Sequence, residues 1–86
     1  MYKIAFSKQV VKFLSKHKEV AKLFYKKLII LANNPLDNKL DFVKLKWKNN
    51  HYRLRIWKYR FLYEIRNKEA LIYFYEVDSR WDIYKQ

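Results

Sequence analysis

The chain has 86 residues, 51% apolar and 20% aromatic, with a formal net charge of +12 and neither Cys nor Gly. That length supports one core and one domain over residues 1–86, and the apolar content excludes a disordered polycation. The absence of Cys excludes disulfides and thiolate metal sites, and no stretch reads as a signal peptide or a membrane span, so a cytoplasmic protein without a membrane partner is expected.

Residues 2–6 alternate, with Tyr2, Ile4 and Phe6 on one side, and predict a first strand. Ser7 is placed to cap a short helix that carries Val10, Phe13 and Leu14 at helical spacing. A longer helix is expected from about Lys18, with Val20, Leu23, Phe24, Leu28 and Leu31 as its apolar stripe. Asn33, Asn34 and Pro35 stop it, Asn as a left-handed cap and Pro because it cannot continue a helix. Residues 43–48 alternate as a strand, placing Lys44, Lys46 and Lys48 on one side, and Asn49 and Asn50 form a turn. Alternation resumes over residues 52–57 and again over 59–65, joined by a tight turn at Trp57 and Lys58. After a turn at Asn67 and Lys68, residues 70–77 read as an apolar strand, and residues 78–86 close the chain as a short C-terminal segment. With no Gly available, Asn is expected wherever a turn requires positive φ.

The result is an α+β domain: an N-terminal strand, then a helical hairpin packed on one face of a mainly antiparallel twisted sheet. Ile4, Phe6, Phe24, Leu28, Leu31, Leu54, Ile56, Phe61 and Tyr63 are expected between the two layers.

Self-repulsion at this charge is unfavourable for a compact state and points to a polyanionic partner. Residues 1–34 carry eight Lys and no Arg, whereas all five Arg lie beyond residue 52. A guanidinium forks onto phosphate, while an ammonium is a hydrated point charge, so the Arg-bearing half carries the candidate site. Alternation puts Arg53 and Arg55 on the face away from the helices, and the turn at Trp57 and Lys58 brings Arg60 across from them. The plain alternative is a solvated face whose Arg pair with Glu64, Glu76 or Asp78. Trp57, Trp81 and Tyr84 offer stacking surfaces for bases, which favours RNA. Lys44, Lys46 and Lys58 add phosphate-steering charge. His51 and Glu64 are further candidates for a base, though a turn histidine and an ion-pair carboxylate are their commoner roles. His17, between the helices, is read as structural.

The runs Lys44-Leu45-Lys46, Tyr52-Arg53-Leu54-Arg55-Ile56, Tyr59-Arg60-Phe61-Leu62-Tyr63-Glu64-Ile65 and Val77-Asp78-Ser79-Arg80-Trp81-Asp82-Ile83-Tyr84-Lys85 resemble the RelE/ParE toxin superfamily. In element order the resemblance covers the whole chain, and its specific part is the C-terminal half. It implies a RelE-type toxin that enters the ribosomal A site and cuts messenger RNA, the message's own 2′-hydroxyl attacking the adjacent phosphodiester without metal or cofactor. Carried over by motif, Arg53 and Arg60 hold the scissile phosphate, Arg55 assists the 2′-hydroxyl, Arg80 stabilises the leaving oxygen and Tyr84 stacks on or orients a base. Well-characterised members carry Lys where this chain has Arg53 and Arg55. A guanidinium does not give up its proton, so Arg55 would act by charge instead of as a base. The implied partners are ribosome-bound message with its ribosomal RNA surroundings and a small acidic antitoxin covering the Lys-rich helices or a sheet edge. A ParE-like gyrase inhibitor of the same fold and a non-enzymatic RNA-binding module are the alternatives; the joint presence of Arg53, Arg55, Arg60, Arg80 and Tyr84 argues for the nuclease.

Overall fold

The computed structural model describes residues 1–46 and 48–79; Trp47, Arg80, Trp81 and Tyr84, and the expected closing segment beyond Ser79, lie outside the described residues. Strand β1 (Lys3–Phe6) leads through Ser7 into α1 (Lys8–Lys16) and α2 (Lys18–Asn33), followed by β2 (Phe42–Lys44), β3 (His51–Ile56), β4 (Tyr59–Arg66) and β5 (Leu71–Ser79). The strands form one sheet in the order β1-β5-β4-β3-β2. The β1–β5 pair is parallel and the other pairs are antiparallel.

Ser7 does the work expected of a cap and more. Its Oγ accepts the Val10 amide at 3.3 Å and donates to the Tyr75 carbonyl at 3.0 Å. Its own amide donates to the Phe74 carbonyl at 2.9 Å, so one residue starts α1 and ties β1 to β5. His17 ends α1 and begins α2: its amide donates to the Phe13 carbonyl, its carbonyl accepts the Ala21 amide, and its ring stacks on Phe13 with centroids 4.0 Å apart. Val20, Phe24, Leu28 and Leu31 of α2 are buried against Leu54, Ile56, Phe61, Tyr63, Ile65, Ile72, Phe74 and Val77 of the sheet. Ile4 and Phe6 pack against this core only partly buried. Leu54 and Ile56 lie under the helices while Arg55 is exposed, which fixes the expected register of β3.

Several details depart from the expectations. Strand β2 is three residues long and starts one residue earlier. It ends because the Leu45 amide bonds to the carbonyl of His51, the first residue of β3, at 2.8 Å. Beyond that pairing the chain must turn, so Lys46 and Lys48 do not belong to a strand. Asn34 caps α2 in an extended conformation, φ −151°. Its side chain accepts the Leu36 amide at 3.2 Å, an Asx turn that stops the helix without a left-handed residue. Strand β5 starts at Leu71 and runs to Ser79, taking in Asp78.

Asn50 has positive φ as expected, but so do Trp57 (φ 56°) and Ala70 (φ 48°). Trp57 opens the two-residue loop between the paired Ile56 and Tyr59, a position that such hairpins require to be left-handed. Ala70 caps the 3₁₀ turn Asn67–Glu69 at φ 48°, ψ 48°. The Cβ makes that conformation cost about 1–2 kcal/mol, partly offset by the greater chain entropy that Gly loses on folding. Ala70→Gly therefore stabilises the fold by about 0.5–1 kcal/mol. Urea unfolding checks this: the midpoint rises with an unchanged m-value, and a midpoint at or below that of the parent contradicts it.

Candidate functional site

The face of the sheet away from the helices is built by strand parity. His51, Arg53 and Arg55 project from β3, and the register sets them opposite Glu64, Leu62 and Arg60 of β4. Strand β5 adds Asp78 opposite Arg60 and Glu76 opposite Leu62. The short loop at Trp57 and Lys58 is what brings Arg60 directly across from Arg55.

Two like charges in direct cross-strand contact are unfavourable, and each of these has its own carboxylate. Arg60 Nε donates to Asp78 Oδ1 at 3.2 Å, with both side chains mostly covered. Arg55 Nε donates to Asp41 Oδ2 at 2.7 Å, with both half exposed, and the Arg55 amide also donates to the Asp41 carbonyl at 2.8 Å. The exposed Arg55–Asp41 pair adds little stability, at most about 1 kcal/mol, but it fixes where the guanidinium sits. Arg53, half-buried between them and His51, forms no ion pair among the described residues. Of the three carboxylates expected to neutralise this face, only Asp78 pairs with the Arg53, Arg55 and Arg60 group. Glu64 instead accepts from Arg66 Nε at 3.0 Å.

The neighbouring rows of the same face hold a polar group across three strands. His51 Nδ1 lies 3.0 Å from the Tyr75 hydroxyl, and His51 Nε2 lies 3.8 Å from Glu64 Oε2. Tyr75 reaches this position because β5 carries a bulge: Leu62 pairs with Glu76 but Tyr63 pairs with Phe74, leaving Tyr75 as the extra residue. Bulges re-aim side chains in this way. Burial, then Glu76 and Glu64, raise the Tyr75 phenol above its ordinary range. Tyr75 and Asp41 escaped the sequence reading. A trace of the bulge is visible in the spacing of the buried residues, Ile72 and Phe74 two apart and Val77 three further on.

The sheet thus brings Arg53, Arg55 and Arg60 together. It does not bring Lys44 to them: Lys44 pairs with Tyr52, which alternates to the opposite face. Lys46 is exposed in the turn after β2. Trp57 is 58% exposed at the hairpin tip, and Lys58 Nζ lies 5.4 Å from the centre of the Tyr59 ring. With Tyr59 and residues 17–20 they line a cleft of about 500 Å³ beside the junction of α1 and α2. Among the described residues no cluster of three or more His, Asp or Glu is arranged to hold a metal ion. No described helix is long and apolar enough to cross a membrane.

No protein-family model matches the sequence, and no curated protein matches it either. Solved structures do. The chain is similar to a chain of the archaeal RelE–RelB complex from Pyrococcus horikoshii, at 30% identity over 92% of this chain and 94% of that one, TM-score 0.80. It is similar to a chain of the RelB–RelE antitoxin–toxin complex from Methanococcus jannaschii, at 32% identity over 93% and 94%, TM-score 0.74. The isolated RelE toxin of E. coli shares the fold at 20% identity over 92% and 84%, TM-score 0.76.

Proposed function

Because the chain belongs to the RelE toxin family, we propose that it is the toxin of a type II toxin–antitoxin module and cleaves messenger RNA in the ribosomal A site. The observation that carries this reading is the set Arg53, Arg55 and Arg60 on one face of the sheet, with Arg53 left without an ion-pair partner among the described residues. A guanidinium with no carboxylate partner among the described residues, beside two oriented ones, suits a phosphate.

In this mechanism the 2′-hydroxyl of one nucleotide attacks the adjacent phosphodiester and leaves a 2′,3′-cyclic phosphate. Arg53 and Arg60 hold the scissile phosphate and stabilise the charge that builds up on it. Arg55, fixed by Asp41, lowers the cost of forming the 2′-oxyanion. Arg80 stabilises the leaving 5′-oxygen and Tyr84 stacks on a base. The exposed Lys of α1 and α2 supply sequence-independent attraction to RNA. The same surface suits a small acidic antitoxin that folds as it binds, and the site of action places the protein in the cytoplasm.

Primer extension on a translated message, with and without induction of the protein, tests the proposal. Cuts phased with the reading frame support it. An intact message accompanied by a DNA-damage response would instead identify a ParE-like gyrase inhibitor.

A further inference from the structure

Building on the reading of the chain as an mRNA-cleaving toxin, we propose that Tyr75 takes the proton of the attacking 2′-hydroxyl while passing its own to His51, and that Glu64 holds the imidazole for this purpose. Cleavage needs a group that removes the 2′-proton, and Arg53, Arg55 and Arg60 cannot, since a guanidinium carries donors and no acceptor. The Tyr75–His51–Glu64 row lies on the same face. His51 is two residues from Arg53 along β3, about 7 Å at the strand repeat, so a phosphate seated on Arg53 is within a nucleotide's reach of it.

The relay runs through one tautomer of His51, with the proton on Nε2, 3.8 Å from Glu64 Oε2, and the lone pair on Nδ1, 3.0 Å from the Tyr75 hydroxyl. In that tautomer Nδ1 accepts from Tyr75 Oη, which keeps its own lone pairs for the 2′-hydroxyl. A carboxylate–imidazole–hydroxyl row of this kind is a general proton-removal device. Arg66 Nε at 3.0 Å from Glu64 Oε1 steadies the carboxylate, and the bulge at Tyr75 is what carries the phenol across β4 to reach His51. The charged and titratable groups facing His51 are Arg53 on its own strand, Glu64 and Arg66 on β4, and Tyr73, Tyr75 and Glu76 on β5; β2 contributes only Val43 to this face.

In the step itself, the 2′-hydroxyl proton moves to Tyr75 Oη as the Tyr75 proton moves to His51 Nδ1. The freed electron pair on O2′ forms the O2′–P bond, and the P–O5′ bond breaks with its pair on O5′. A proton from bulk water completes the 5′-hydroxyl, and the imidazolium later returns one to bulk water. The upward displacement of the Tyr75 phenol suits a group that relays a proton without resting as phenolate. Tyr75 is the catalytic residue here; His51 and Glu64 act through it as positioning residues.

The test is single-turnover cleavage on programmed ribosomes with the parent protein, Tyr75→Phe and His51→Asn, from acid to neutral pH. Tyr75→Phe should slow cleavage by about 100-fold or more, the typical contribution of a positioned proton acceptor, with unchanged ribosome affinity. His51→Asn should slow it comparably and flatten the rise of rate with pH, because only a neutral imidazole accepts a proton. Cleavage by Tyr75→Phe at the parental rate, or by His51→Asn with the parental rate and pH profile, overturns the relay and leaves the nuclease reading standing. A parent protein that cuts nothing overturns both.

Discussion

If the chain cleaves message as proposed, replacing Arg60 with alanine should lower the single-turnover rate by roughly two to three orders of magnitude, the usual cost of one preorganised donor to a transition-state oxyanion. Arg60 is oriented and largely enclosed: its Nε is held by Asp78 at 3.2 Å and its side chain is only 14% exposed. Among the described residues the other nitrogens of the fork make no hydrogen bond, so the Asp78 contact positions the group without consuming it. On the same proposal ribosome affinity should change little, because the exposed Lys of α1 and α2 would supply most of the attraction to phosphate. Two companion variants separate charge from geometry. Arg60→Lys keeps the charge and loses the planar fork, so it recovers part of the rate. Asp78→Asn keeps Arg60 and removes its anchor, so it slows cleavage less than Arg60→Ala does. An Arg60→Ala protein that cuts at the parental rate removes Arg60 from the mechanism.

What the sequence discloses of this site and what it hides have a common physical origin. Parity in β3 is legible because Leu54 and Ile56 alternate with Arg53 and Arg55, and a slip of one residue would bury both guanidinium groups. The two-residue loop at Trp57 and Lys58 then dictates that Arg60 faces Arg55. Strand β5 offers no such contrast. Residues 71–75 are all apolar or aromatic, so either parity reads equally well, and the bulge that aims Tyr75 at His51 emerges only from the fold. It exists because Phe74 and Val77 both belong to the core, an odd spacing that a regular strand cannot satisfy. Asp41 was hidden for a different reason: it precedes β2 in the loop, and an ion pair between loop and strand leaves no periodic trace. The left-handed Trp57 was hidden because the register, not the preference of the residue, decides which side chain occupies the hairpin position.

Replacing Phe61 with alanine should cost about 3–5 kcal/mol, the usual loss for a fully buried aromatic ring whose cavity cannot collapse. The Phe61 ring lies flat on Phe24 at 4.3 Å between centroids and 17° between planes, and meets Phe13 edge-on at 5.7 Å. It therefore joins both helices to the centre of the sheet. A domain of 86 residues has a total stability of about 4–13 kcal/mol, so this one change removes a large share and can unfold the chain outright at growth temperature. Tyr63, two residues along and equally buried, supplies the control. Its hydroxyl has no hydrogen-bond partner among the described residues, and burial, then Tyr52, drive its phenol far above the ordinary range. Tyr63→Phe keeps the ring and deletes only that stranded oxygen, so it should leave stability unchanged or raise it by about 1 kcal/mol. Urea unfolding of the two variants beside the parent measures both effects. If Phe61→Ala costs less than Tyr63→Phe, ring packing between α2 and β4 is not what holds the helical hairpin to the sheet. If the expected order holds, Phe61→Ala should also lose cleavage, since Arg60 is its neighbour on β4 and relies on the same strand for its place opposite Arg55.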